Sequence, residues 1–135
     1  MPAPHTHEIR VYFEDTDFTG RVYHGAFVHF LERGRTEFLR AAGVDHQRLA
    51  RGTPSLFFTL RRLDMSFSGP AFIDDLLAVH STPGDSGRAL FRIEQSIVRN
   101  STVLVRATVE LCLIDESGRP ARPPAELVSV FANIA

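Results

Sequence analysis

The 135-residue sequence predicts an α+β domain in which an antiparallel sheet covers one long helix. Two observations carry this. The run from Gly25 to Ala42 repeats its apolar residues at steps of three and four, the period of a helix with one buried face. Most of the chain after residue 55 instead reads as β-rich segments joined by short turns, and connections that short make neighbouring strands antiparallel. The expected organisation is a single domain over 1–135, with residues 1–6 a loose tail.

The elements follow in order. Residues 8–13 (Glu-Ile-Arg-Val-Tyr-Phe) alternate and are β-rich, so they form a first strand. A polar turn covers 14–22. In the helix, Phe27, Phe30, Leu31, Gly34, Phe38 and Ala41 make one stripe, and Gly43 is placed to stop it. About 18 residues at 1.5 Å each give a helix of roughly 27 Å. Gly34 costs the helix about 1 kcal/mol relative to alanine, so its place on the stripe points to a close approach by a neighbouring surface. Segment 44–55 has no clear period. Leu56–Ser68 is a strand, Gly69-Pro70 a turn, and Phe72–Thr82 the next strand, closed by Pro83–Gly87. Arg88–Arg99 alternates with Ala89, Phe91, Ile93 and Ile97 on one face, and Asn100-Ser101 makes a tight hairpin turn. Val103, Val105, Ala107, Val109, Leu111 and Leu113 then give an apolar face of period two. A loop over 115–124 leads to a last strand, Leu127–Ile134. The predicted order is strand, helix, five strands. The edges and outer face of such a sheet need cover, which predicts homo-oligomerisation.

Composition removes several classes of function. A net charge of −1 does not support nucleic-acid binding through bulk electrostatics. All 15 basic residues are arginine, a side chain suited to phosphate. The single cysteine, Cys112, excludes an internal disulfide and points to a reducing compartment; inside an apolar strand it reads as a small hydrophobe rather than a nucleophile. No apolar stretch approaches the roughly 20 residues of a membrane span. The opening Met-Pro-Ala-Pro-His-Thr-His lacks the layout of a signal peptide. A soluble, cytoplasmic protein is expected. His5 and His7 lie in the tail without cysteine partners, and His24 and His29, five apart, point to different sides of a helix, so no metal site is expected.

The most informative segment is 13–24, Phe-Glu-Asp-Thr-Asp-Phe-Thr-Gly-Arg-Val-Tyr-His. It puts Asp17 in a glycine-containing turn just ahead of a helix start, where unpaired backbone N–H groups can hold developing negative charge. A carboxylate beside such an end is the equipment of acyl transfer or hydrolysis. Each residue also has a plain structural reading: Asp17 as a cap or Asx turn, His24 bonded to backbone, Tyr23 as packing.

Residues Glu14-Asp15-Thr16-Asp17-Phe18-Thr19-Gly20-Arg21-Val22-Tyr23-His24-Gly25, with Glu32-Arg33-Gly34-Arg35-Thr36-Glu37 after them, resemble the signature of the hotdog-fold acyl-CoA thioesterases. The resemblance is to the 4-hydroxybenzoyl-CoA thioesterase-like branch and, within it, the group associated with the Tol-Pal system. It implies a sheet wrapped around a central helix, with Asp17 as the catalytic carboxylate and His24 and Tyr23 close to the thioester. Phe27 departs from the family, where many relatives carry tyrosine; its position reads as core. Asp17 then either attacks the thioester carbonyl or deprotonates a water, and N–H groups near Val22 to Gly25 hold the oxyanion. His24 hydrogen-bonds that oxygen or the departing sulfur.

Coenzyme A is part of such a substrate, and no separate cofactor is implied. Arg88 and Arg122 are candidates for its phosphates. Glu32, Arg33, Arg35 and Glu37 read as a solvated face with intrahelical pairs. The expected partner is an acyl-CoA with a short-to-medium or aromatic acyl group, hydrolysed by a homodimer or homotetramer with each site at a subunit interface. An acyl carrier protein as thioester carrier is the alternative. Hydration of an enoyl thioester lacks its usual His/acid pattern here. A non-catalytic acyl-ligand binding or scaffold protein is the remaining reading.

Overall fold

The computed structural model describes residues 4–134. In chain order it contains β1 (His5–Arg10), a short 3-10 turn (Phe13–Asp15), α1 (His24–Ala41), α2 (His46–Arg51), β2 (Leu56–Phe67), β3 (Leu76–Pro83), β4 (Phe91–Arg99), β5 (Thr102–Asp115) and α3 (Ala125–Ile134). The five strands form one antiparallel sheet in the order β1-β3-β4-β5-β2, and α1 lies across one face of it, over β1, β3 and β4.

The helix forms where its stripe demands burial. Ala26, Phe27, Phe30, Leu31, Gly34, Phe38 and Leu39 are buried, whereas Ala41 is exposed and does not join the stripe. Fully burying a Phe or Leu contributes roughly 1.5–3 kcal/mol each, so packing outweighs the low helix propensity of Gly34 and three β-preferring Phe residues. Val79 of β3 sits directly beneath Gly34, so the predicted close approach is real. On β5, Val105, Ala107, Val109, Leu111 and Leu113 are buried as alternation predicts, but Val103 is only partly buried and Leu104, of the opposite parity, is buried in its place, next to the register shift at Ile97/Val98. On β4 the buried series is Phe91, Ile93, Gln95 and Ile97; Ala89 is exposed in the preceding loop. Asn100-Ser101 turns β4 into β5, with Arg99 paired to Thr102 and Asn100 at φ 56°.

Three further strand expectations are corrected. The first strand runs from His5 to Arg10, so residues 5 and 6 belong to the sheet; residues 1–3 of the expected tail lie outside the described residues. Phe72–Asp75 is a turn rather than strand, with Asp74 at φ 73°. Within the patternless 44–55 segment, Asp45 caps α2 by accepting the Gln47 N–H at 2.9 Å. The expected last strand, Leu127–Ile134, is instead helix α3. Its start follows Pro123-Pro124, and the buried Leu127 and Phe131 are one helical turn apart.

Pairing register gives the domain two ends. At one lie Arg10 opposite Leu76, the end of β4 and the start of α1. At the other lie Pro83 opposite Ile93, the loop before β4, the end of β5 and α3. The helix spans about 27 Å between them.

Candidate active site

The first end is where the signature segment folds. Asp15 anchors it twice: its Oδ2 accepts the Tyr12 N–H at 2.8 Å, and its carbonyl accepts the Tyr23 N–H at 2.9 Å. Thr16 and Val22 are bridged, as are Arg21 and Phe72, so residues 17–21 form a closed loop. The Asp17 N–H donates to the Arg21 carbonyl at 2.9 Å, and Gly20 takes φ +79°, a conformation L side chains rarely adopt.

Inside that loop, Asp17 Oδ1 accepts the Thr19 N–H at 2.8 Å and the Thr19 hydroxyl at 2.6 Å. The Asx-turn geometry is therefore present, but it occupies one oxygen only; Oδ2 makes no hydrogen bond among the described residues. The Thr19 hydroxyl and N–H hold the Asp17 carboxyl below its ordinary range, helped by charge on His24 and Arg21. Asp17 is exposed in the single chain.

The amides at the helix start are not equivalent. Val22 N–H donates to the Ala71 carbonyl at 2.8 Å, Tyr23 N–H to Asp15, and Ala26 N–H to the Tyr23 carbonyl at 2.8 Å. That leaves the N–H groups of His24 and Gly25 without a partner among the described residues, which narrows the expected oxyanion donors from four residues to two.

Asp17 and this helix start share one open cavity of about 410 Å³. Glu14, Asp15, Thr16 and Asp17 form one wall; Tyr23, Gly25, Ala26, His29 and Arg33 form the other. Tyr23 folds over the first helical turn, where a Cβ at position 25 would lie 2.5 Å from its ring carbon Cε2. His24 is exposed, its ring centroid 4.3 Å from that of Tyr23, and it is not part of the cavity wall. Phe27 is core, packed near Phe30 and Phe67.

Reading the sequence missed His29 and Arg33. The signal was their spacing: 25, 29 and 33 fall at steps of four and share a helix face outside the core stripe. The expected pairs of the charged face are also revised. Glu37 pairs with Arg40, whereas Arg35 is half-buried, with its Nη1 unpartnered among the described residues and its pKa lowered by burial. Arg88 and Arg122 do come together, lining one groove of about 560 Å³ with Pro120 and Pro123. That groove is at the far end of the sheet from Asp17. His5 and His7 are on β1, and no cluster of three metal-ligating side chains occurs among the described residues.

Residues 19–106 match the thioesterase superfamily. The chain belongs to that superfamily. It is 35% identical over 127 residues to the acyl-CoA thioesterase YbgC of Haemophilus influenzae, covering 93% of each chain. It is 32% identical over 125 residues to the acyl-CoA thioester hydrolase YbgC of Escherichia coli, covering 91% of this chain and 92% of the other. A crystal structure of a probable thioesterase from Bartonella henselae, 44% identical, superposes with a TM-score of 0.87 over 90% of this chain and 100% of that one. The sheet and helix are the hotdog fold, and the superfamily member is a thioester hydrolase. Among the described residues no helix is long and apolar enough to cross a membrane.

Proposed function

We propose that the protein hydrolyses acyl-CoA thioesters, releasing free acid and CoA, with Asp17 as the reacting carboxylate. The observation that carries this reading is one cavity bounded both by Asp17, whose Oδ2 is uncommitted, and by the helix start, where the Gly25 N–H is unpaired among the described residues. A thioester carbonyl seated between them meets a carboxylate on one side and a backbone donor for its oxyanion on the other. Asp17 acts as nucleophile, giving an acyl anhydride, or as base toward a water. Either route expels a thiolate, a competent leaving group, so neither requires a cofactor or a strong general acid. Tyr23 borders the reacting atoms, and His24 supports the carboxylate electrostatically from beside the cavity. The similarity to proteins named acyl-CoA thioesterases favours CoA as the carrier. The preferred acyl group is short-to-medium or aromatic.

The working unit is a homodimer or homotetramer. Tyr12, Phe13 and Phe18 stand exposed around the Asp17 loop, and the edge strand β2 presents Phe57, Leu60 and Phe67. A second subunit seated on these surfaces would close the cavity against water. Arg88 and Arg122 suit a phosphate, but a coenzyme reaching both them and Asp17 would have to bridge protomers. The cytoplasm, where a free Cys112 stays reduced, is the proposed compartment.

A panel of acyl-CoA substrates with thiol detection tests the assignment, with carrier-protein thioesters alongside. The wild type releases thiol, and Asp17→Asn lowers kcat on the order of 10²-fold or more. Thiol release unchanged in that variant would remove Asp17 from the mechanism. Ligand retention without turnover would favour a binding protein.

A further inference from the structure

We infer that Arg33, with His29 beside it, forms an anion-binding end of the Asp17 cavity and receives a negatively charged group of the thioester. The inference rests on the thioesterase reading above and adds a second subsite to it. Gly25, His29 and Arg33 line the same cavity wall and succeed one another at single helical turns. They form a straight track up the solvent side of α1. From the Gly25 amide to Arg33 the rise along the axis is about 12 Å, before the reach of the arginine side chain. A thioester with its carbonyl between Asp17 and the Gly25 N–H can therefore lay one arm over His29 and end it at the guanidinium.

Chemistry supports an anion there. Arg33 makes no ion pair or hydrogen bond among the described residues, so its five donors are available. The opposite wall carries Glu14, Asp15 and Asp17, which by themselves would repel an anionic substrate. Arg33 offsets that repulsion away from the reacting carbon and leaves the Asp17 carboxylate free. The Arg88 and Arg122 groove lies a helix length away, so it does not serve this arm in the same protomer.

The anion has two chemical sources: a phosphate of CoA, or a carboxylate ending the acyl chain. Three matched substrates separate them: octanoyl-CoA, octanoyl-pantetheine and the ω-carboxylated octanoyl-CoA. Arg33→Gln is expected to raise KM roughly ten-fold for whichever substrate brings the anion, the scale of a charge-assisted hydrogen bond, with kcat altered far less. A rise for both CoA thioesters and not for octanoyl-pantetheine assigns the phosphate. A rise confined to the ω-carboxylated substrate assigns the acyl tail. Arg33→Lys recovers part of the loss in either case. Unchanged KM on all three, or an equal rise on all three, overturns the proposal, the second because it would mark a general structural effect. Calorimetric binding of the same thioesters to the wild type and Arg33→Gln reads the subsite without turnover, so a failure of the Asp17 mechanism stays distinguishable from a failure of this one.

Discussion

Thr19 grips Asp17 by a single carboxylate oxygen, through both its backbone N–H and its hydroxyl. The bond has two consequences. It fixes the carboxylate in the loop with Oδ2 left open, and it keeps the group ionised to lower pH than an ordinary aspartate. The second consequence is measurable. Asp17 acts in its charged form, so kcat/KM holds at neutral pH and falls as pH drops through the depressed pKa. Thr19→Val removes the hydroxyl bond, the largest cause of the depression, and keeps the backbone one. The acid limb of the kcat/KM profile is expected to move up toward the ordinary aspartate range, with the plateau reduced only a few-fold. A limb that stays put would mean that another group titrates.

Gly25 separates a folding role from a catalytic one at the helix start. A methyl there meets only the far edge of the Tyr23 ring, which can swing away. Alanine is also the better helix former by about 1 kcal/mol. Gly25→Ala is therefore expected to melt no lower than the wild type. Its kcat/KM should nevertheless fall roughly ten-fold, because the displaced Tyr23 and the added methyl both intrude on the cavity wall. Thermal melts and steady-state kinetics on one preparation check both halves. Full activity would show that the ring's position beside the thioester is irrelevant.

Much of the fold was legible because its strongest signals were periodic. From Val105 to Leu113 β5 alternates, and α1 carries a stripe deep enough to fix which face it buries. The failures have physical reasons. Residues 125–134 include Val128, Val130, Phe131 and Ile134, types that favour strands in general, yet Pro123-Pro124 and the four-residue step from Leu127 to Phe131 specify a helix. Gln95 broke the apolar series of β4, although it is buried, donating to the Leu31 carbonyl and the Ser81 hydroxyl at 3.0 Å each. The site was half legible. Asp17 and the helix start lie seven residues apart in sequence, so local pattern could place them together. Arg33 lines the cavity from two helical turns beyond Gly25, a juxtaposition with the 14–17 segment that local pattern does not show, and the Arg88 and Arg122 groove falls at the far end only because β4 and β5 run antiparallel.

The exposed aromatic rim makes assembly testable. Phe13 and Phe18 are 81% and 106% exposed, a poor arrangement for an isolated chain. Phe18→Glu places a charge where a second subunit is expected to pack. Sedimentation should show the variant dissociating at concentrations where the wild type remains assembled, with thioesterase activity lost in parallel. An unchanged oligomer would move the interface elsewhere, with the β2 edge as the alternative surface.

Gly34 decides how closely α1 can lie on the sheet. A Cβ there would overlap Val79 Cγ1 outright and approach Val79 Cβ to 2.8 Å. Both partners belong to the packed core, and Val79 is fully buried, so neither side can yield without moving the helix or the strand. The overlap costs about 1–3 kcal/mol, against a propensity gain of about 1 kcal/mol from replacing glycine. Gly34→Ala is thus expected to be less stable by up to roughly 2 kcal/mol in denaturant unfolding, despite its better helix propensity. Val79→Ala on its own destabilises by leaving a void. Combined with Gly34→Ala it should cost less than the sum, by about 0.5 kcal/mol or more. The recovery is partial because the remaining Cβ of residue 79 still lies too near. Additive costs in that cycle would place the clash elsewhere, and a stabilised Gly34→Ala would show that the helix can lift off β3 at no expense.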